Sequence, residues 1–154
     1  MITRILRYGA IVAFATSAVA GSSASAADIG QIKPLLDEML RAANVHDARR
    51  FMAVYDRSAS LTVTFDDMTI QGWDPLLRQQ MQWWDDGKAT AVYSNVSAPL
   101  ITAISDTVVV TLQSLKVSPG PDVVDKDAKL TVTSVWKKLP EGWRIVVAHE
   151  SLTH

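Results

Sequence analysis

Apolar residues recur three and four positions apart at the start of the ordered-looking sequence. Ile32, Leu35, Leu36, Met39, Leu40 and Ala43 predict an amphipathic helix of about three turns, with Pro34 marking its start or a kink near it. Asn44-Val45-His46-Asp47 breaks this pattern, and Asp47 can cap a short second helix carrying Phe51, Val54 and Tyr55. From Ser60 the period changes to two. Leu61, Val63 and Phe65 alternate with Ser60, Thr62 and Thr64, and Asp66-Asp67 turns the chain into a short return strand through Ile70. Asp74-Pro75 reads as a cap and first turn for a third helix, which runs through Leu76, Leu77, Met81 and Trp84 to Gly87. Beyond it, segments 89–104, 106–117, 129–138 and 143–153 are rich in Val, Thr and Ile and predict an antiparallel meander. Segment 118–127 is a polar connection, readable as a solvated loop or as a pocket lid. Pro140-Glu141-Gly142 makes the last turn.

The final strand carries the clearest chemistry. Strict alternation puts Trp143, Ile145, Val147, His149 and Ser151 on one face, so His149 is expected to end an apolar stripe and form part of a pocket wall. An imidazole there could act as acid, base or hydrogen-bond donor without a cofactor, although a structural role also fits. By the same parity Glu150 faces away and forms no dyad with it.

The N-terminal segment changes the picture of where the chain resides. Arg4 and Arg7 precede an apolar run and the small residues Ala24-Ser25-Ala26, the pattern of a secretory signal peptide. Residues 1–26 are read as that signal and 27–154 as one domain, with Ala18-Val19-Ala20 as a second cleavage option. The expected location is exported, periplasmic or secreted. The apolar run is too short to cross a bilayer. Removal of two arginines moves the net charge from −1 to −3. The chain has no cysteine, which excludes disulfides, thiol nucleophiles and zinc-thiolate sites. It has no basic run, so neither nucleic acid nor an anionic membrane is an expected partner after signal cleavage. A small, neutral or apolar molecule is.

Two helices, a small hairpin, a third helix and four long strands make an α+β chain whose sheet must curl around its helices. With Asn44-Val45-His46-Asp47, Tyr55, Gly72, Thr133-Ser134-Val135-Trp136, Gly142-Trp143-Arg144-Ile145-Val146, His149 and Ser151, this layout resembles the nuclear transport factor 2-like superfamily. The resemblance is to its SnoaL-like and calcium/calmodulin-kinase association-domain-like branches, over about 29–153. It implies a conical, cystatin-like cup of three helices on a curled antiparallel sheet, a ligand held in the cup, and homodimerisation through the sheet's outer face. Some family members are isomerases, dehydratases, cyclases or epoxide hydrolases, and many are not catalytic.

Ketosteroid isomerase-like members place a tyrosine on the first helix and a general-base aspartate on the first strand. This chain has Met39 and Val63 at those positions, which removes that chemistry. Scytalone dehydratase-like catalysis needs histidines and tyrosines in the cup, for which His149 and Tyr55 are the candidates. Tyr55, Trp84, Trp136 and His149 are thus the expected ligand-binding residues, with His149 the candidate catalytic group. Trp84, in phase with Leu77 and Met81, should point inward, and Trp83 outward or into an interface. No spacing joins His46, His149 and His154 into a metal site, and no cofactor is expected. Asp66-Asp67 reads as a turn rather than a carboxylate pair, and Asn95-Val96-Ser97 as a chance match to a glycosylation acceptor. Three functions remain: a cup for an apolar ligand, a cofactor-independent isomerase, dehydratase or cyclase, and a non-catalytic dimerisation domain with a self-filled cup.

Overall fold

The structure, a computed structural model, describes residues 29–120 and 127–153. The segment 1–26 expected to be a signal peptide, the centre of the 118–127 connection and His154 lie outside the described residues.

The first helix, α1 (Ile32–Asn44), buries Ile32, Leu36, Met39, Ala42 and Ala43 along one stripe, as its periodicity predicts. Asp47 caps α2 (Ala48–Phe51) by accepting a hydrogen bond from the Arg50 N–H at 3.0 Å, and a 3-10 turn, Met52–Val54, follows. The hairpin is β1 (Thr62–Phe65) and β2 (Met68–Gln71), joined by Asp66 and Asp67. Asp66 takes the left-handed φ of 50° that such a turn requires, a conformation Asp tolerates. The third helix, α3 (Trp73–Trp83), starts two residues earlier than expected. Its cap is Gly72, whose φ of 88° suits glycine, while Asp74 sits inside the first turn, facing the positive end of the helix dipole.

A single sheet holds the rest, with β3 (Val92–Asn95), β4 (Leu100–Ala103), β5 (Val108–Ser118), β6 (Ala128–Leu139) and β7 (Gly142–Thr153). The strand order is β2-β1-β7-β6-β5-β3, and β4 also pairs with β5. Two details depart from the predicted meander. The expected long strand 89–104 is two short strands lying in line along β5, because the chain leaves the ladder after Val96, and Pro99 has no N–H to donate. The sheet is also mixed, since β1 runs parallel to β7. Local periodicity is blind to such a distant pairing.

The long β6–β7 ladder contains one irregularity. Val135 pairs with Val147 and Trp136 with Ile145, so Val146 is an extra residue opposite a single step of β6. Before it Trp143 and Ile145 point inward; after it Ala148, Glu150 and Leu152 do. The bulge therefore inverts the parity of the strand's second half. His149 is exposed on the outer face, a correction to the alternation from Trp143, which assumed an unbroken pleat.

Inward side chains form layers across the sheet. Val109, Trp136 and Ile145, each 0% exposed, close the narrow end. The next layer is small, with Thr111, Ser134, Ala148 and Val63. The Trp136 Nε1–H donates to Thr111 Oγ1 at 3.0 Å, so the indole's polar atom is satisfied inside the core. Replacing Trp136 with Phe removes this bond and leaves a void. It should cost about 2 kcal/mol of unfolding free energy, read as a lower urea midpoint at unchanged slope.

Candidate functional site

Above the closed end, α1, α3 and the concave sheet face do not meet, and a cavity of ≈ 230 Å³ remains. The helices contribute Leu36, Met39, Leu40 and Ala43 from α1, then Gln80 and Trp83 from α3 with Trp84 just past its end. The sheet contributes one inward row, Gln113, Val132, Glu150 and Phe65, across β5, β6, β7 and β1. A second row, Leu115, Leu130 and Leu152, lines the outer part of the wall.

Aromatic rings make up much of the remaining wall. Phe51 meets Trp84 edge-on at 5.1 Å between centroids, and Phe65 lies 5.2 Å from Trp83. Tyr93 is held from two sides. The Asn44 side chain accepts from the Tyr93 N–H at 2.8 Å and donates to its carbonyl at 2.9 Å, tying the end of α1 to β3. Trp84 Nε1 donates to the Tyr93 hydroxyl at 3.1 Å, which leaves the phenolic proton free to be donated. Behind this pair His46, with φ 52°, sets its ring edge-on to Trp84 at 5.7 Å.

Among the described residues, Glu150 is the one carboxylate in this wall. Among the described residues its side chain has no hydrogen-bond or ion-pair partner. Burial in apolar surroundings pushes its pKa from 4.5 up to about 7. Burial also holds the Tyr55 phenol well above its ordinary value, and the Glu150 charge adds to this. Tyr93 is raised by burial, opposed by the hydrogen bond from Trp84 and reinforced by Glu150. Both phenols thus stay protonated donors close enough to feel the carboxylate. Among the described residues, Lys, Arg and His are missing from the wall.

Of the expected ligand-binding residues, the structure brings Tyr55 and Trp84 together in the cavity. It does not bring Trp136, which is sealed in the closed end, or His149, which the Val146 bulge turns outward. Trp83, expected to face away, is half-buried and lines the cavity instead, its ring packed against Phe65 of β1. Sequence reasoning missed Glu150, Tyr93, Gln80 and Gln113. Gln113 shares the parity of Val109, Thr111 and Leu115, and Gln80 lies one turn from Leu76 and from Trp84, so both amides were visible as polar residues on apolar faces. Glu150 carried no such signal.

The carboxylate makes stability depend on pH. Folded protein keeps the Glu150 proton up to pH 7, whereas the unfolded chain loses it near 4.5. Stability from this group is therefore greatest below pH 4.5, declines between 4.5 and 7, and is level above, a total of about 3 kcal/mol. Glu150→Gln should abolish that decline and raise the melting temperature at pH 8, measured by thermal unfolding across the pH series.

The SnoaL-like domain family matches residues 32–154. No curated protein matches the chain. Solved structures share its fold at low identity. A nuclear transport factor 2-like protein of unknown function from Shewanella oneidensis MR-1 is 18% identical, with TM-score 0.66 over 79% of this chain and 97% of that one. A Nostoc punctiforme protein of unknown function with a cystatin-like fold is 13% identical, with TM-score 0.69 over 84% and 94%. A candidate scytalone dehydratase from Novosphingobium aromaticivorans is 12% identical, with TM-score 0.68 over 83% and 85%.

Proposed function

We propose that this chain, which belongs to the SnoaL-like family of the nuclear transport factor 2-like superfamily, is an exported, dimeric cup that binds a small, largely apolar molecule. The observation that carries the reading is the ≈ 230 Å³ cavity, walled by aromatic and aliphatic side chains with a few convergent polar groups. Tyr55 and Trp84 keep the roles the sequence suggested. Glu150, Tyr93, Gln80 and Gln113 supply the polar contacts in place of His149 and Trp136. A cup filled by its own side chains fits this open volume poorly.

Val132 stands between Gln113 and Glu150 in the inward row, so Val132→Phe fills the cavity without changing charge. A neutral fluorescent probe, N-phenyl-1-naphthylamine, should bind one per chain and quench the emission of Trp83 and Trp84. Val132→Phe should weaken it about tenfold or more while His149→Ala leaves it unchanged. Equal binding by Val132→Phe would overturn the site.

The outer sheet face supports pairing of two copies. Leu100, Leu112, Thr133 and His149 form one row across it, and Val110, Val135 and Val147 the next. Leu100, Leu112 and Val147 are 64%, 41% and 45% exposed. Charge is confined to its ends, at Lys137 and Arg144 and at Lys116 and Lys129. An uncharged apolar centre with a polar rim suits a two-fold contact. Native mass spectrometry of protein from the exported fraction should find a dimer of chains starting at Ala27, and Leu112→Lys should convert it to monomer. A monomeric parent would remove the dimer, and an uncleaved N-terminus would remove export.

A second reading has one specific observation behind it. A carboxyl with a pKa of about 7, near two phenols in an apolar cup, is poised for cofactor-independent proton transfer, as in isomerisation, dehydration or cyclisation. Glu150, rather than His149, would then be the acid or base.

A further inference from the structure

We infer that the molecule held in the cup is a hydrophobic amine, its cationic nitrogen paired with the Glu150 carboxylate and its apolar body laid along the aromatic wall. This rests on the ligand-binding reading of the cavity and names the ligand's charge. Glu150 is half-buried and lines the cavity with no cationic partner among the described residues, although a carboxylate partly withdrawn from water is retained at a cost unless something offsets it. Among the described residues no side chain of the wall can supply that countercharge. The groups facing Glu150 are aliphatic from α1, Gln80 and the indoles of Trp83 and Trp84 from the α3 end, and Phe65 from β1. The β5 and β6 neighbours are Gln113 and Val132.

The titratable groups near it are the Tyr55 and Tyr93 phenols, neutral throughout the ordinary pH range. His46 stands behind Trp84 and Tyr93, outside the cavity lining, and Asp66 is committed to the Leu152 N–H at 3.0 Å. With no cation supplied by the described residues, we assign the countercharge to the ligand.

The wall's other features agree with a cation. Phe51, Tyr55, Phe65, Trp83, Trp84 and Tyr93 present ring surfaces, whose negative π faces attract an ammonium group. The amide oxygens of Gln80 and Gln113 can accept its remaining N–H bonds. An anion would meet like charge and no basic residue. A neutral ligand would leave the carboxylate unpaired above pH 7.

Such a ligand binds the ionised form of Glu150, so a carboxyl still protonated in the free cup loses its proton to solvent on binding. Amine affinity should be level above pH 7 until the amine itself deprotonates, and should fall below 7, by at most about tenfold per pH unit, until only the contribution of the apolar body remains. A neutral isostere should show no such loss.

The test compares 4-phenylbutylamine with 4-phenylbutan-1-ol on the full chain, by calorimetry and tryptophan emission from pH 5 to 8. At pH 8 the amine should bind about tenfold or more tightly than the alcohol, a ratio approaching one at pH 5. Glu150→Gln should erase both the preference and its pH dependence while alcohol binding persists, which shows the cup intact. Equal affinities at pH 8, a tighter alcohol, or an amine preference surviving Glu150→Gln would overturn the inference and leave the cup reading standing. If neither probe binds at millimolar concentration, and N-phenyl-1-naphthylamine also fails, the cup reading falls and the amine with it.

Discussion

The registration of β6 against β7 governs both what the cup contains and what its outer face presents. A regular antiparallel ladder would carry the inward set of Trp143 and Ile145 straight on to Val147, His149 and Ser151. The extra residue at Val146 breaks the count, so one strand builds two different surfaces. Its first half contributes to the sealed Trp136 layer. Its second half places a carboxylate in the cavity and an imidazole on the outer face, and the parallel pairing with β1 brings Phe65 alongside that carboxylate. Bulges of this kind re-aim side chains without changing the fold.

The layering explains how the domain tolerates an unfilled volume. Large residues, Trp136, Trp143 and Ile145, fill the narrow end, where Trp136 and Thr111 satisfy each other's polar atoms. The small layer of Thr111, Ser134 and Ala148 then separates this packed end from the row holding Gln113, Val132 and Glu150. Stability is concentrated at one end and accessible space at the other. The Asn44 side chain keeps the space open by bonding both main-chain groups of Tyr93, so the α1 terminus and the edge strand stay at a set distance. A packed base and a braced rim allow a costly group such as Glu150 to persist between them, consistent with the way functional sites hold locally unfavourable groups within a stable frame.

The outer face follows the same register. Because the bulge sends Val147 and His149 outward together, they extend the apolar and hydroxyl rows begun by Val110, Leu112, Val135 and Thr133. His149 therefore belongs chemically to a surface whose centre carries no formal charge on its strands, and its paired neighbours there are Thr133 and Thr64. Cup and outer face are two products of one irregular strand.

The local elements were legible in the sequence because local periodicity reports local burial. The 3.6-residue spacing of Ile32 to Ala43, the Asp47 cap, the Asp66-Asp67 turn and the Pro140-Glu141 turn each depend on residues within a few positions of one another. The α+β class followed from their order, and Tyr55 and Trp84, each just beyond a helix whose phase was clear, line the cavity. The parallel β1–β7 pairing, the division of 89–104 into two strands and the position of the bulge depend on partners far away in the chain. Tertiary packing alone decided them, and with them the exchange of His149 for Glu150. A period-two pattern states that neighbours alternate, and only the partner strand determines where the alternation restarts.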